Sequence, residues 1–396
     1  MSCQRTPLHF RLRAAYSTPM TESTPMTEQP FFPPPRRVLW EITAHCNLRC
    51  AHCLVDAGGG NAAGELSTDE ALALVDDLAE LGPTAVSLTG GEPLLRKDWF
   101  QIAQKIRARG MGLRMSSNGH LLTDAIVESL EALQLELFTL SIDGDETIHN
   151  RLRPYALGNA TKNSFQDVLQ AIRLLNRHGI ETHVITSVSQ ENLGELPRIH
   201  QLLKQFNIAR WILQLVHPTG RAAHSTPSRR HMENECTPIL PQQLQAVADF
   251  IVAHADDPVL QPTAFNSIGY LSRQEPVLRK SGKRARRPLW QGCQCGIEVM
   301  GIEPDGGIKG CANQVGAPFV VGNAREESVV NIWNDRRRWH WLSPRPADAG
   351  GDCAECALFH LCRAGCTAVA YQSTGQLFNN PYCLRRVAAA DSDAPH

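Results

Sequence analysis

The chain has 396 residues, with 39 lysine and arginine residues against 40 acidic residues and a formal net charge of −1. This length can bury a barrel-sized core and a second domain without disulfides, and a charge near zero argues against nucleic acid or an anionic membrane as a partner. With no apolar run of roughly 18 residues and no secretory signal, we expect a cytoplasmic protein. There its 13 cysteines stay reduced, and metal ligation explains them better than disulfides.

Residues 1–36 are predicted to form a disordered N-terminal tail. Residues 17–22 are repeated immediately as 23–28, and three prolines follow at 33–35. Such a segment buries too little apolar surface to offset the entropy lost on ordering it. We therefore expect no catalytic group in the tail.

Residues 37–220 alternate short apolar strands with amphipathic helices. Ser67 and Glu70 have the spacing of a capping box, and Gly82-Pro83 ends the helix that follows them. Strand–helix units in series predict an α/β fold, here a partial (βα)6 barrel resembling a TIM barrel, with chemistry at the carboxyl ends of the strands. The predicted strands are 38–43, 85–89, 113–117, 137–142, 182–188 and 211–216. After the helix that ends at Gly82, further helices are predicted over 98–109, 124–133, 165–178 and 193–206.

Three cysteines follow the first predicted strand. Cys46, Cys50 and Cys53 have three and then two residues between them, a spacing that can ligate three irons of a four-iron cube. The fourth iron is then open to a substrate or a cofactor. A disulfide-bearing loop, a partial zinc site and unrelated core thiols are the alternatives at this point.

Polar residues also end the next three predicted strands. In Gly90-Gly91-Glu92-Pro93 the glycines let the backbone approach a ligand closely, and the carboxylate suits a cation. Hydroxyl, amide and carboxylate groups after the third and fourth strands suit a ribose, although each is also common in turns. These groups belong to Ser116, Asn118, Ser141 and Asp143.

From Cys46 to Gly144 the sequence resembles the radical SAM enzymes, whose signature is a three-cysteine motif of this spacing followed one strand later by Gly-Gly-Glu-Pro. The resemblance covers residues 37 to about 220. It implies that Cys46, Cys50 and Cys53 hold a [4Fe–4S] cluster whose open iron is chelated by S-adenosylmethionine. It also implies that Gly90, Gly91, Glu92 and Pro93 lie at the methionyl amino group, Ser116, Asn118, Ser141 and Asp143 at the ribose and carboxylate, and His52 near the adenine.

The chemistry of such a site agrees with the resemblance. Chelation places the sulfonium beside a low-potential cluster, so that electron transfer can cleave the C–S bond. The products are methionine and a 5′-deoxyadenosyl radical, which abstracts hydrogen from unactivated carbon. An electron donor such as flavodoxin or ferredoxin is implied as a partner.

Residues 221–290 are expected to form a helical connector. A helix is predicted over 242–255, and 280–287 is a basic run that forms either a solvated loop or a binding strip for an acidic peptide. Cys3 and Cys236 fit no ligand spacing.

Residues 291–396 contain a second set of spaced cysteines. Seven of them exceed the four ligands of one zinc ion and indicate two metal centres, although a zinc site remains an alternative for the cysteines between 353 and 366. The seven are Cys295, Cys311, Cys353, Cys356, Cys362, Cys366 and Cys383.

This second set resembles the SPASM domain, which carries two auxiliary [4Fe–4S] clusters. Cys293 is the candidate for a fourth ligand of the first cluster, but it lies closer to Cys295 than the family pattern has it. If the fourth iron of the first cluster has no protein ligand, a substrate could bind to it. If Cys293 is that ligand, the cluster relays electrons. The resemblance assigns Cys295, Cys311 and Cys366 to the first cluster, and Cys353, Cys356, Cys362 and Cys383 to the second.

The resemblance favours a radical SAM maturase that crosslinks, oxidises or epimerises a ribosomally made peptide or protein. Segments 302–311, 321–323, 332–333 and 380–383 resemble members that mature peptides. The 36-residue tail is too short for a leader-binding domain, so we expect either a separate leader-binding protein or direct recognition. The alternatives are an enzyme of tetrapyrroles or other small molecules with the auxiliary clusters as an electron path, and a non-enzymatic scaffold or redox sensor. Catalytic residues are unassigned, with Glu298, Glu303 and His217 as possible acids or bases.

Overall fold

Ten strands in the described part of the chain form one continuous sheet. The structure, a computed structural model, describes residues 32–55, 57–58, 64–156, 163–224, 236–280 and 289–387. The predicted tail up to residue 31, Cys3 and residues 281–287 of the basic run lie outside these ranges. The strands are β1 (Arg37–Glu41), β2 (Ala85–Thr89), β3 (Gly112–Ser116), β4 (Leu137–Ser141), β5 (Thr182–Val188), β6 (Arg210–Leu215), β7 (Pro262–Ala264), β8 (Val299–Ile302), β9 (Gly307–Lys309) and β10 (Gly322–Asn323).

The helices begin and end largely where the sequence predicts. The Ser67–Glu70 capping box is present, and Gly82 ends the first helix in a left-handed conformation with φ 83°. No helix in the described ranges is long and apolar enough to cross a bilayer. The helices are α1 (Thr68–Leu81), α2 (Trp99–Ala108), α3 (Asp124–Ala132), α4 (Glu146–Leu152), α5 (Ser164–Arg177), α6 (Leu196–Leu203), α7 (Leu244–Ala253), α8 (Glu275–Leu278), α9 (Val329–Asn334), α10 (Phe359–Cys362) and α11 (Thr367–Thr374).

The strand order is β10-β9-β8-β1-β2-β3-β4-β5-β6-β7. The six predicted strands, β1 to β6, run parallel in chain order, which confirms the α/β architecture. A feature that the sequence did not predict is the parallel pairing of β8 with β1, in which Trp40 lies opposite Ile302. The first strand of the cysteine-rich region therefore extends the same sheet.

The sheet is curved. The side chains of Arg37 on β1 and Arg210 on β6 are close enough to lower the pKa of Arg210 by charge repulsion, after burial as the larger cause. Five strand spacings in a flat sheet would separate these strands by about 24 Å. The six strands therefore bend into an open barrel whose helix-facing side holds the apolar core, including the fully buried Trp40, Trp211 and Phe138.

Backbone contacts join the loop after β1 to the loop after β2. Gly91 N donates to Thr43 O and Glu92 N to His45 O, each at 2.7 Å. A Cβ on Gly91 would lie 2.1 Å from His45 O, and one on Gly90 would lie 2.3 Å from Thr43 O. The two glycines are thus required because backbone packs directly on backbone.

A buried ion-pair network joins β1 to β9. The Lys309 side chain is 1% exposed, and its Nζ lies 3.3 Å from Glu41 Oε1 and 3.0 Å from Glu303 Oε1. Despite burial, these two carboxylates raise the pKa of Lys309. Glu303, a possible acid or base from the sequence, is therefore an ion-pair partner in the structure.

Lys309→Met is expected to destabilise the protein by about 3–5 kcal/mol, because it leaves two carboxylates without their cation, one of them buried. Chemical denaturation followed by circular dichroism measures the loss. Lys280→Met is the matched control, since that side chain is 54% exposed; its effect should stay within about 0.5 kcal/mol. Equal effects of the two substitutions would contradict the structural role of Lys309.

Gly91→Ala is expected to displace the loop after β1 that carries Cys46, Cys50 and Cys53, called the cysteine loop below. The added Cβ would overlap the His45 carbonyl oxygen. Iron bound at the predicted cluster should fall, and the affinity for S-adenosylmethionine should weaken by at least about tenfold. Iron analysis and equilibrium dialysis measure these effects. Gly194→Ala, with nothing within 4 Å of its added Cβ, serves as the control, and a Gly91→Ala protein that matches it would refute the close approach.

Candidate active site

The loop that follows β1 is fixed by the segment that follows α4. Leu48 forms an antiparallel bridge with Tyr155, and Arg49 N donates to Pro154 O at 2.8 Å. Ala51 N donates to the oxygen of Leu152, the last residue of α4, at 2.8 Å. The loop is thereby paired like a short strand, so the positions of its three cysteines are set by backbone hydrogen bonds.

The three cysteines of this loop lie close together, since both Cys50 and Cys53 act on the ionisation of Cys46. Cys50 is buried, and Cys46 and Cys53 are half-buried. Burial, with the neighbouring Cys50 as the next cause, raises the pKa of Cys46 to about 12, and burial also raises the pKa of Cys50. Such thiols stay protonated at neutral pH until a metal displaces the proton. Their closeness and their need for a cation fit a shared iron–sulfur cluster.

Glu92 joins the loop after β2, which contains Gly90 and Gly91, to the loop after β3. It is fully buried and accepts hydrogen bonds from Ser117 Oγ and Asn118 N at 2.8 Å and from Leu94 N at 3.2 Å. Burial raises the pKa of Glu92 to about 7. The carboxylate is therefore engaged within the protein, and Gly90 and Gly91 supply the backbone that lines the loop.

The polar residues at the other strand ends gather at the same edge of the sheet. Ser116 and Ser141 are the last residues of β3 and β4 and are half-buried. The Asn118 side-chain amide donates to Asn47 Oδ1 at 2.7 Å, which ties it to the cysteine loop. The structure thus brings these residues together, as the parallel sheet requires.

Asp143 forms a buried network behind the cysteine loop. Its Oδ1 accepts from Ser187 N at 2.8 Å, and its Oδ2 lies 3.2 Å from His52 Nε2 and 2.5 Å from Arg153 Nε. Although burial opposes it, the positive charges of Arg153 and His52 lower the pKa of Asp143. Both carboxylate oxygens are therefore used inside the protein, and the roles of Asp143 and His52 toward the cofactor stay predictions.

Two arginines that the sequence analysis did not name contact the cysteine loop. Arg153 Nη1 donates to Cys50 Sγ at 3.8 Å, and Arg221 donates from Nε to Cys50 O at 2.6 Å and from Nη1 to Ala57 O at 2.8 Å. Single arginines in loops have no distinctive spacing, so the sequence offered no signal for them. They place positive charge beside the thiol that the loop buries most deeply.

Cys293 lies with the three cysteines predicted for the first auxiliary cluster. Hydrogen bonds from the Cys295 and Cys366 thiols lower its pKa, and contacts with Cys293 and then Cys311 raise the pKa of Cys295. Cys366 also contacts Cys293 and lies close to Cys311. Four thiols thus converge at this site instead of three.

The four cysteines predicted for the second auxiliary cluster line one cavity. Its volume is about 30 Å³. Burial, followed by the charge of Cys383, raises the pKa of Cys362 to about 12. No three His, Cys, Asp or Glu side chains in the described ranges converge as ligands of a single metal ion, whereas a four-iron cube takes one thiolate per iron. The cavity is lined by Cys353, Cys356, Cys362 and Cys383, with Tyr270, Asp352, Phe359, Ala364, Asn380 and Arg386.

The remaining possible acids or bases occupy opposite ends of the barrel. His217 follows β6 at the carboxyl edge, and burial lowers its pKa to about 4. Glu298 lies beside Arg37 at the amino end of β1, where burial and then the charge of Arg114 lower the pKa of that arginine and the charge of Glu298 opposes them. Of these two, His217 is the one at the same edge as the cysteine loop.

Two curated proteins and one solved structure illustrate what this chain is similar to. An AdoMet-dependent heme synthase of Methanosarcina barkeri is 29% identical over 360 residues, which cover 89% of this chain and 97% of that protein. The mycofactocin maturase MftC of Mycolicibacterium smegmatis is 27% identical over 335 residues, which cover 84% and 78%. The structure of anSMEcpe with bound AdoMet and the Cp18Cys peptide shares the fold, with a TM-score of 0.64, 17% identity and coverage of 88% and 94%.

Two family models match the chain. The model of the radical SAM superfamily matches residues 40–203, and that of the iron–sulfur cluster-binding SPASM domain matches residues 293–357. These domains use S-adenosylmethionine and [4Fe–4S] clusters as cofactors. The chain therefore belongs to the radical SAM superfamily and is an enzyme with a C-terminal SPASM domain.

Proposed function

We propose that this enzyme oxidises a tetrapyrrole and uses its two auxiliary clusters as an electron path. The position of Cys293 is the observation that carries the electron path, and the similarity to the heme synthase carries the substrate class. The Cys293 thiol contacts Cys295 and Cys366, so Cys293, Cys295, Cys311 and Cys366 would give each iron of the first auxiliary cluster a protein ligand. A site closed in this way offers no iron to a substrate, which favours electron relay over direct substrate binding.

The ligand sets proposed for the other two clusters are those that the cysteine spacing predicts. Cys46, Cys50 and Cys53 would hold the cluster that binds S-adenosylmethionine, and the second auxiliary cluster would occupy the cavity of Cys353, Cys356, Cys362 and Cys383. When bound, the cofactors supply reductive cleavage of S-adenosylmethionine and hydrogen abstraction from the substrate. Gly90 to Pro93, Ser116, Asn118 and Ser141 would line the cofactor, while Arg153 and Arg221 hold the loop that ligates iron.

Similarity in sequence supports the tetrapyrrole class. The relationship to the heme synthase extends over nearly the whole of both proteins. A substrate oxidised by two electrons loses one with the abstracted hydrogen atom and a second afterwards. A flavodoxin or ferredoxin would supply the electron that starts the reaction.

The segments that resemble peptide-maturing members have structural roles here. Gly306, with φ 91°, lies in the turn between β8 and β9, and Trp333 on α9 is fully buried. The Asn380 amide donates to Ala364 O at 2.9 Å. Because these residues build the fold, their presence is compatible with either substrate class.

Maturation of a peptide is the second candidate function. The similarity to the mycofactocin maturase MftC supports it. A precursor peptide, with or without a separate leader-binding protein, would then replace the tetrapyrrole as the partner. The first auxiliary site would relay electrons in this case as well.

The substrate class is tested by incubating the anaerobic enzyme with reductant, S-adenosylmethionine and an iron tetrapyrrole that carries carboxylate side chains. We expect 5′-deoxyadenosine above the substrate-free level and a tetrapyrrole product of changed mass. Candidate precursor peptides are tested in parallel. Product from a peptide and none from tetrapyrroles would overturn the first proposal in favour of the second.

Cys46→Ala, Cys50→Ala and Cys53→Ala are each expected to abolish cleavage of S-adenosylmethionine, because each removes a ligand of the cluster that binds it. A triple variant should lose about four of about twelve iron atoms per chain. Cys236→Ala, which removes a fully buried cysteine outside the ligand sets, is the control. Cofactor cleavage that survives in a reconstituted single variant would refute the assignment.

Cys293→Ala is expected to open one iron of the first auxiliary cluster while leaving cleavage of S-adenosylmethionine intact. The electron paramagnetic resonance signal of that cluster should change and should respond to an added thiol such as 2-mercaptoethanol. The wild-type signal and that of Cys236→Ala should not respond. A Cys293→Ala spectrum identical to the wild-type spectrum would show that Cys293 is not a ligand.

A further inference from the structure

Two turns of left-handed backbone meet at the cysteine-rich end of the molecule. Gly269, Tyr270 and Leu271 have φ values of 122°, 78° and 60°. The second turn, residues 363–365, has φ values of 53°, 57° and 71°. Outside glycine this conformation is strained and persists only where the surroundings enforce it.

Tyr270 is the residue through which the two turns touch. Its side chain is 1% exposed, and a Cβ on Gly365 would lie 2.6 Å from Tyr270 Cζ. Gly365 belongs to the short link between Cys362 and Cys366, which are proposed ligands of different auxiliary clusters. The ring therefore packs against the chain where it passes from one cluster site to the other.

The same ring also borders both sets of thiols. Tyr270 lines the cavity of the second auxiliary site, and its phenol is close enough to Cys366 of the first site and to Cys362 of the second to sense their charges. This position requires that residue 365 lack a side chain, which explains the glycine. The ring thus fills the space between the sites.

Further contacts fix the orientation of the ring. The Tyr270 hydroxyl donates to Asn266 O at 2.7 Å, and the ring packs edge-on against Trp290 with centroids 5.0 Å apart. The Trp290 indole N–H in turn donates to Cys362 O at 2.9 Å. The Tyr270 ring is therefore held by Asn266 within its own connector and, through Trp290, by the backbone of Cys362, a proposed ligand of the second site.

We propose that Tyr270 is a positioning residue shared by the two auxiliary sites, where its ring excludes water and fixes the separation across which an electron passes. The inference rests on the proposed electron path. One electron, released as the substrate radical is oxidised, crosses between the sites and leaves to a one-electron carrier protein of the ferredoxin or flavodoxin class. Neither cluster is changed after the electron has passed.

The test compares Tyr270→Leu with Tyr270→Phe in the fully loaded enzyme. Redox titration followed by electron paramagnetic resonance gives the potential of each cluster, and iron analysis gives the cluster content. Tyr270→Leu should raise the potentials of both auxiliary clusters, because water admitted between them stabilises their more negative reduced state. A Tyr270→Leu protein that loses both auxiliary clusters would keep about four of about twelve iron atoms. This result would also show that the Tyr270 ring borders both sites. The cluster of Cys46, Cys50 and Cys53 should be unaffected.

Tyr270→Phe keeps the ring and should restore the wild-type potentials and iron content. Tyr382→Phe is the matched control, since this buried tyrosine also lies beside a proposed ligand but donates its hydroxyl proton to Ile239 O at 2.7 Å. The proposal fails if Tyr270→Leu changes neither auxiliary cluster, changes one alone or removes all three clusters. It also fails if Tyr270→Phe behaves as Tyr270→Leu.

The measurement needs neither a substrate nor S-adenosylmethionine, so it is independent of the substrate class. A tetrapyrrole that is not converted would leave the result for Tyr270 unchanged. Wild-type protein that holds only about four iron atoms would instead refute the auxiliary clusters themselves. The two failures are therefore distinguishable.

Discussion

The pairing of β1 with β8 is the contact on which the arrangement of the metal sites depends. The cysteine loop leaves the carboxyl end of β1, while β8 follows Cys295 and continues into β9, two residues before Cys311. Cys295 itself forms a bridge with Val299. Because neighbouring parallel strands share a fixed register, the loops that carry proposed ligands of different clusters are attached to strands of one sheet. The buried Lys309 reinforces this connection by neutralising carboxylates from both sides of it.

Burial makes the cysteine sites dependent on their metal. Desolvation raises the pKa values of Cys46, Cys50 and Cys362, so as the proposed ligands these thiols would ionise when iron replaces the proton. Arg153 partly offsets this cost at Cys50 by donating to its sulfur. The binding of iron is thus coupled to completion of the fold around it.

The sequence predicted the repeating part of the structure well. Six strands and their helices follow from alternating apolar patterns, and cysteine spacing pointed to three metal centres. The pairing of β8 with β1 was not predictable in this way, because a four-residue strand carries little periodic signal and its partner is some 260 residues away. Arg153, Arg221 and Tyr270 were missed for a related reason, since single residues acquire their roles only through long-range packing.

A rule of backbone geometry predicts that the Cys293 and Cys295 thiols lie at one site more directly than comparison with a family pattern does. In extended backbone, residues i and i+2 point to the same side, so a Cys-Gln-Cys sequence directs both thiols toward one site. Glycines with φ 87° and 80° flank this pair, at Gly292 and Gly296, and let the chain turn sharply on either side of it. The Trp341 indole N–H holds the backbone by donating to Cys295 O at 3.0 Å. With Cys293 as the proposed fourth ligand, the first auxiliary cluster would offer no iron to a substrate, and selectivity would then come from the side chains that line the barrel.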